Sequence, residues 1–517
     1  MEIVSATVIM VALITILVVW VWRVLNWLWI RPKVLERKLR EQGLRGNSYR
    51  ILFGDTNDGK RLVKEAISKP IGIFEDTASR ILPQVDQCLK KYGKNSFLWM
   101  GPAPRINIME PEMIREIFSK LDDFHKVAAN PLTRLLLHGL TSHEGDQWAK
   151  HRKLLKPAFH LEKLMNMLPA FYTSCLEMMT KWEKLFADGG PCELDVWPYL
   201  QDMTSDAISR TAFGSSFREG KRIFERQREL ADLVVEALKS VYIPGWRFLP
   251  TKMNRRMKEL ERDIRTSLGA IIHKKEMAMK AGEAASDDLL GILIESNHRE
   301  IEENVSNHNV GLTLEEVIGE CKIFYFAGQE TTSTLLVWTM VVLSIHQEWQ
   351  ARARDEVLLI FGKEKPHLNG LNHLKIVTMI FHEVLRLYPP IATLNRSTQR
   401  ETKLGRLTLP AGAQLSLPVA AIHRDPELWG QDAKEFKPER FADGVSKATQ
   451  GQLNYFPFGW GPRICIGQNF AFLEAKMTLA LMLQRFSFAL SPSYTHAPYA
   501  SATVHPQHGA HLTLHKL

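Results

Sequence analysis

From Ile3 to Trp22 the chain reads IVSATVIMVALITILVVWVW, an apolar run without a single charge. A helix of that length spans the roughly 30 Å hydrocarbon core of a bilayer. Glu2 precedes the run, and Arg23, Arg31, Lys33, Arg37 and Lys38 follow it, which is the wrong polarity for a cleaved signal peptide. Trp27 and Trp29 fall where an aromatic belt meets headgroups. The pattern predicts a single-pass transmembrane signal anchor over residues 1–24, with the bulk of the chain on the cytosolic side. A basic linker and hinge is expected over 25–48, where Gly43 and Gly46 interrupt the pattern, and one large domain over 49–517.

Beyond the anchor the periodicity is overwhelmingly helical. No proline occurs between Pro250 and Pro366, and LTLEEVIGECKIFYFAGQETTSTLLVWTMVVLSIHQEW predicts one long helix with an acidic first turn. Its middle is apolar nearly all round, so it should cross the core. Strand-like alternation is confined to short pieces, RLTLPAGAQLSL around a Pro-Ala-Gly turn and HLTLHKL at the C-terminus. The polar stretch SNHREIEENVSNHNVG, residues 296 to 311, is expected as an exposed loop. The fold class is mainly α with small β-sheets.

Composition narrows the function classes. Hydrophobic content of 45% and charge of 24% in 517 residues describe an ordinary globular interior. The net charge of +9 favours an acidic partner or an anionic membrane surface, and its dispersed Lys and Arg argue against nucleic acid. Cys88, Cys175, Cys192, Cys321 and Cys465 are odd in number and widely spaced, which fits neither a disulfide framework nor a zinc site.

One loop concentrates chemistry: FPFGWGPRICIGQNF, Phe456 to Phe470. Gly459, Gly461 and Gly467 match neither phosphate-cradling spacing, and the loop holds no second cysteine or histidine to complete a zinc site. A lone thiolate is a useful ligand where a macrocycle supplies the remaining positions, that is, in haem. Gly461 and Gly467 would let backbone pass close under a flat ring, and the helical run from Gly467 would stabilise a thiolate with its amides. Arg463 could pair with a carboxylate of the cofactor. On these residues alone, a buried structural cysteine stays open.

FGWGPRICIG matches every fixed place of the cytochrome P450 haem-binding signature, F-x-x-G-x-R-x-C-x-G, through Phe458, Gly461, Arg463, Cys465 and Gly467. The resemblance to the cytochrome P450 family covers almost the whole chain. It implies the P450 fold and haem b with Cys465 as axial thiolate and metal ligand. AGQETT, Ala327 to Thr332, resembles the family's oxygen-activation motif. There small Ala327 and Gly328 would admit cofactor and substrate, Thr331 would bond back to the Ala327 carbonyl and open the helix, and Glu330 would feed protons inward. Glu383 and Arg386 in EVLR, with Arg440 in FKPERF, resemble a buried structural network. Trp148 and Arg152 in WAKHRK resemble the family's propionate holders, and Arg396 in TLNRST takes the same part by position. His423 is left structural.

The chain carries no flavin or nicotinamide fingerprint, so the resemblance implies electrons from NADPH through NADPH-cytochrome P450 reductase, with cytochrome b5 as a further partner, at the endoplasmic reticulum membrane. FYFAGQETTS, HEVLRLYPP and PQHGAHLTLH resemble plant clan 72 members of the 72A type, which include secologanin synthase and triterpenoid oxidases. This implies a lipophilic, terpenoid-derived small-molecule substrate. Ser48 stands where such enzymes often carry proline, which puts the stiffness of the linker in question. Leu132 in NPLTRLLLHGL, Phe326, Ala327 and the stretch from Ile391 to Leu394 are expected to line the distal pocket. The alternative is a haem-thiolate isomerase, peroxide-rearranging enzyme or ligand-binding haem protein that works without a reductase.

Overall fold

The chain was analysed as a computed structural model, which describes residues 2–136, 138–186, 190–214, 217–282, 287–303 and 310–517. Its longest core element begins at a capping box. The Glu316 amide donates to the Thr313 hydroxyl at 3.3 Å while the Glu316 carboxylate accepts the Thr313 amide at 2.8 Å. The helix that follows, Leu314–Ile345, is 32 residues long, exposed in its first turn and buried along most of its length from Val317 to Ser344. It stops before the expected Trp349, because His346 leaves helical geometry (ψ 74°) and a new helix, Gln347–Phe361, starts there.

Among the described residues, Val196–Phe213 packs most extensively against this core helix, and Phe217–Leu238, Lys252–Lys280, Gln347–Phe361, Lys375–Leu387 and Gln468–Arg485 also touch it. A six-stranded sheet lies beside them, in the order Arg45–Gly46, Ser96–Met100, Ala103–Asn107, Gln414–Leu417, Leu394–Thr398, Phe124–His125. The two arms of RLTLPAGAQLSL do not pair with each other. Leu407–Leu409 joins Thr402–Leu404, whereas Gln414–Leu417 inserts between Ala103–Asn107 and Leu394–Thr398, with Arg105 opposite Gln414 and Arg396 opposite Leu415. That insertion fixes where Arg396 stands. His511–Lys516 is a strand, as the alternation predicts.

Two segments gain definition in the structure. Within residues 25–48, the N-terminal apolar helix Glu2–Leu25 continues through a π-helical turn, Asn26–Ile30, into the basic helix Arg31–Glu41. Leu35 and Leu39 of that helix are buried, and Gln42 exchanges two hydrogen bonds with Thr408 at 2.9 and 2.6 Å. The turn itself is at Gly43, whose φ of 82° favours glycine. Without proline at position 48, the exit is held by the Tyr49 hydroxyl donating to the Leu28 carbonyl and the Trp99 indole donating to the Asn47 carbonyl. In the stretch 296–311, residues up to Glu303 complete the helix Leu289–Glu303, and 304–309 lie outside the described residues.

The Glu383–Arg386 pair is fully buried and satisfied. Arg386 makes two hydrogen bonds to the Glu383 carboxylate, at 2.7 and 2.8 Å, and donates to the carbonyls of His423, Ala433 and Glu435. Arg440 approaches the same carboxylate at 3.5 Å. His423 passes the restraint on, since its Nε2 accepts the Phe456 amide at 3.1 Å. Burial, reinforced by Arg386, pushes His423 down to about 3, so the ring is neutral and can accept.

Two outcomes follow from this network. Glu383→Ala strands a buried guanidinium and should cost about 3 to 5 kcal/mol in urea unfolding of the haem-loaded protein. Unfolding frees His423 to titrate near its ordinary value of 6.5, so the unfolded chain binds the extra proton between there and about 3. Stability should therefore fall below pH 6.5, by about 1.4 kcal/mol per pH unit from this ring. Thermal midpoints measured between pH 6.5 and 4.5 should show a shallower slope in His423→Gln.

Candidate active site

The sulfur loop is shaped by its backbone. The Cys465 amide donates to the Phe458 carbonyl at 2.9 Å, the Gly459 amide donates to Phe456 at 2.9 Å, and Gly461 sits at φ 71°. A Cβ on Gly461 would stand 3.1 Å from the Phe118 carbonyl, so strain and space both demand glycine there. At Gly467 a Cβ would meet nothing nearer than 3.8 Å, so protein packing does not exclude a side chain there. Cys465 is surrounded by the fold, yet its side chain borders open space. Burial pushes its thiol up, while the Gly467 amide and the Arg152 charge favour the thiolate.

Facing space also opens in the middle of the core helix. Ala327 is exposed and Phe326, Gly328, Glu330 and Thr331 are half-buried, whereas Tyr325, Gln329 and Thr332 around them are buried. Two contacts hold this helix close to the sulfur loop. The Phe159 ring lies 6.2 Å from Phe324 and next to Gly467, and buried Glu474, on the helix that leaves the loop, lies beside Thr332. The Thr331 hydroxyl donates to the Ala327 carbonyl at 2.6 Å, as the residue types predict, but the helix stays continuous there. Gly328 serves packing: a Cβ would lie 2.8 Å from Ile208 on the neighbouring helix.

Glu330 does not join Thr331 on one face. It lines a cavity of about 140 Å³ with Arg228, Asp232, Thr503 and His505. The Thr503 hydroxyl lies 3.5 Å from its carboxylate and 3.2 Å from Thr334. Burial raises the Glu330 carboxyl and the Arg228 charge lowers it, with burial prevailing.

The remaining site residues gather cations. Arg463 stacks over the Trp148 ring at 4.6 Å, donates to the His143 carbonyl at 2.9 Å and pairs with Glu144. Arg152 shares the Trp148 helix, Gly145–Leu155, and senses the Cys465 sulfur. Arg396 is buried over Phe118, with its centre 5.5 Å from the ring, and burial plus Arg463 push it down to about 10. Lys126, which sequence reasoning passed over, completes the set. Its ammonium donates to the Thr141 carbonyl at 2.6 Å, and burial, then Arg463 and Arg396, push it down to about 7. Nothing local in FHKV marks this lysine as buried. Glu474 escaped notice as one of three charged residues, with Lys476 and Arg485, on a mostly apolar helix, and burial holds it well above the usual carboxylate range. Leu132 is 5% exposed and packs into the core, so it has no surface to offer a pocket. Leu394 is half-buried at the edge of the sheet core and Ala327 is exposed on the open face, whereas Phe326, one turn before Glu330, lines the same cavity as Glu330.

A cytochrome P450 family model matches residues 72–511. The chain belongs to the cytochrome P450 family. Its P450 relatives include Cytochrome P450 72A397 of Kalopanax septemlobus, 60% identical over 96% of both chains. Cytochrome P450 72A15 of Arabidopsis thaliana and 7-deoxyloganic acid hydroxylase of Catharanthus roseus are 54% and 53% identical over the full length of each chain. The retinoic acid-bound cyanobacterial CYP120A1 structure superimposes with a TM-score of 0.72 at 24% identity, covering 84% of this chain and 94% of its own, and speaks for the P450 fold alone. This P450 is thus a 72A-group monooxygenase, and membership implies haem held by a cysteine thiolate.

The donor set fits that group. Arg463 pairs with Glu144, Lys126 and Arg396 feel that carboxylate's charge and Arg152 that of the Cys465 sulfur, which leaves a surplus of positive charge for a planar ligand bearing carboxylates. Replacing Lys126 or Arg396 with Met should speed haem transfer to apomyoglobin roughly 10- to 100-fold, the loss of one charged hydrogen bond. The transfer is followed at the Soret band.

Proposed function

We propose that this P450 is a membrane-anchored enzyme that inserts one oxygen atom into a lipophilic, terpenoid-derived substrate, using electrons from NADPH-cytochrome P450 reductase. One observation carries the reading: a single sulfur on a glycine-shaped loop beside the open face of an otherwise buried helix. Cys465, whose amide donates to the Phe458 carbonyl and whose thiolate is favoured by the Gly467 amide and Arg152, would supply the sulfur ligand of the haem iron. Lys126, Arg152, Arg396 and Arg463, with Trp148 stacked on the last, hold the propionates. Haem bound there supplies one-electron chemistry and dioxygen activation.

The chain's own task is to position and to deliver protons. Thr331, half-buried on the open face, presents its oxygen where a proton is needed, and its bond to Ala327 fixes the rotamer. Glu330 takes up protons from the polar cavity behind the helix, and burial biases its carboxyl towards the protonated form. Ala327 and Leu394 bound an apolar substrate space. The likeness to the hydroxylase of 7-deoxyloganic acid, an iridoid, supports a terpenoid-derived substrate. The uncharged helix at the N-terminus, mean hydropathy 2.6 and with none of its apolar window buried, supports membrane anchoring at the endoplasmic reticulum through residues 1–24, ahead of the catalytic domain from 49 to 517. The net charge of +9 suits an acidic redox partner, reductase or cytochrome b5.

The reduced, carbon monoxide-bound spectrum of the purified protein should report thiolate ligation, and Cys465→Ala should abolish it. With reductase, NADPH and a panel of iridoids and triterpenoids, Thr331→Ala should form product roughly 10- to 100-fold more slowly while NADPH is still consumed. Turnover of a hydroperoxide by a protein inert towards oxygen and reductase would overturn the monooxygenase reading in favour of a reductase-independent isomerase.

A further inference from the structure

Next to Glu144 and Arg152, three buried side chains converge against the core helix. His143, His151 and Glu320 are 7%, 0% and 0% exposed, and each offers one ligand atom within 4.8 Å of the other two. His151 Nδ1 lies 2.5 Å from Glu320 Oε1, which also accepts the Leu140 amide at 2.7 Å. The His143 and His151 rings are 4.4 Å apart, centroid to centroid. Two atoms of this cluster are buried without a hydrogen-bond partner, His143 Nε2 and Glu320 Oε2. An orphaned acceptor on a fully buried carboxylate is costly, and an orphaned imidazole nitrogen beside it adds to that cost.

The backbone is built to bring these groups together. A Cβ on Gly139 would stand 2.7 Å from Glu320 Oε1, and one on Gly319 would stand 2.3 Å from the His138 carbonyl. Glycine on both surfaces therefore lets the 138–144 loop lie against the core helix. The other polar groups facing the cluster are His138, whose ring meets His143 edge-on at 5.3 Å, Glu316, 3.4 Å from His151 Nε2, and Lys150, 3.5 Å from Glu316.

We propose that His143, His151 and Glu320 form a binding site for one divalent zinc-class ion, distinct from the haem site. Two imidazoles and a carboxylate are a donor set zinc accepts, and the fourth position falls to water or to the His138 ring. Zinc at ~2.0–2.1 Å from each ligand sets ligand atoms about 3.3 Å apart, so the present triangle closes by side-chain rotation of roughly 1.5 Å. The two positive charges are matched by the Glu320 and Glu316 carboxylates. Because Arg463 donates to the His143 carbonyl, the ion would pin the loop that steadies the arginine two places before Cys465.

The test uses untagged, full-length, haem-loaded protein in detergent, stripped with a chelator and titrated with zinc against a chromophoric competitor. Wild type should take up one zinc per chain, retained through gel filtration and counted by elemental analysis. His143→Gln and Glu320→Gln should each weaken uptake at least about 10- to 100-fold while manganese, an oxygen-preferring ion, competes poorly. No stoichiometric zinc in the wild type overturns the proposal, and so does uptake that both variants retain. A variant that loses haem is set aside in favour of the other, and the wild-type stoichiometry is decisive on its own.

Discussion

The position of one sulfur depends on the satisfaction of one buried guanidinium. Arg386 could not be buried alone, and its donors are placed on the Glu383 carboxylate and three backbone carbonyls from the segment 423–435. Those carbonyls place His423, His423 accepts the Phe456 amide, and Phe456 begins the loop that ends in Cys465. Each link is a directed hydrogen bond between buried groups, so the tolerance at the sulfur is set several residues away. A helix-surface Glu–Arg pair at the same spacing would contribute a few tenths of a kcal/mol and position nothing.

Much of this was legible in the sequence, for physical reasons that can be named. The long uncharged run, the acidic opening of the core helix and the unpaired cysteine between glycines each constrain geometry through composition alone. What escaped was non-local. The arms of RLTLPAGAQLSL have ideal alternation, yet pairing partners are chosen by which sheet edge is available, and Gln414–Leu417 found Ala103–Asn107 some three hundred residues away. Burial of Lys126 likewise depends on Arg463 and Arg396, contributed by distant segments. The docking of the basic helix Arg31–Glu41 rests on Leu35 and Leu39, an i, i+4 apolar stripe under its basic surface.

The separation of Glu330 from Thr331 has the same kind of cause. Successive residues on a helix point about 100° apart, so neighbours readily fall on either side of a helix edge. Glu330 turns to the polar cavity that Arg228, Asp232 and His505 line, while Thr331 returns its hydroxyl to the Ala327 carbonyl. Under the proposed function, this separation sets a polar cavity and an apolar compartment on different sides of one helix.

Electrostatics then ties cofactor and fold together. Four cations are collected around the site with Glu144 in contact, and Lys126 is driven down to about 7 by burial and its neighbours. Such an arrangement is unfavourable for the chain taken alone, since like charges in a poorly solvated space repel and one of them nearly surrenders its proton. An anionic ligand reverses every sign: it draws Lys126 back to the charged form and converts repulsion into charge-assisted hydrogen bonds. The binding free energy is then also folding free energy, because the unfolded chain holds neither the cations together nor the sulfur in place. The residues whose like charges repel in the chain alone are therefore the ones that make the loaded protein stable.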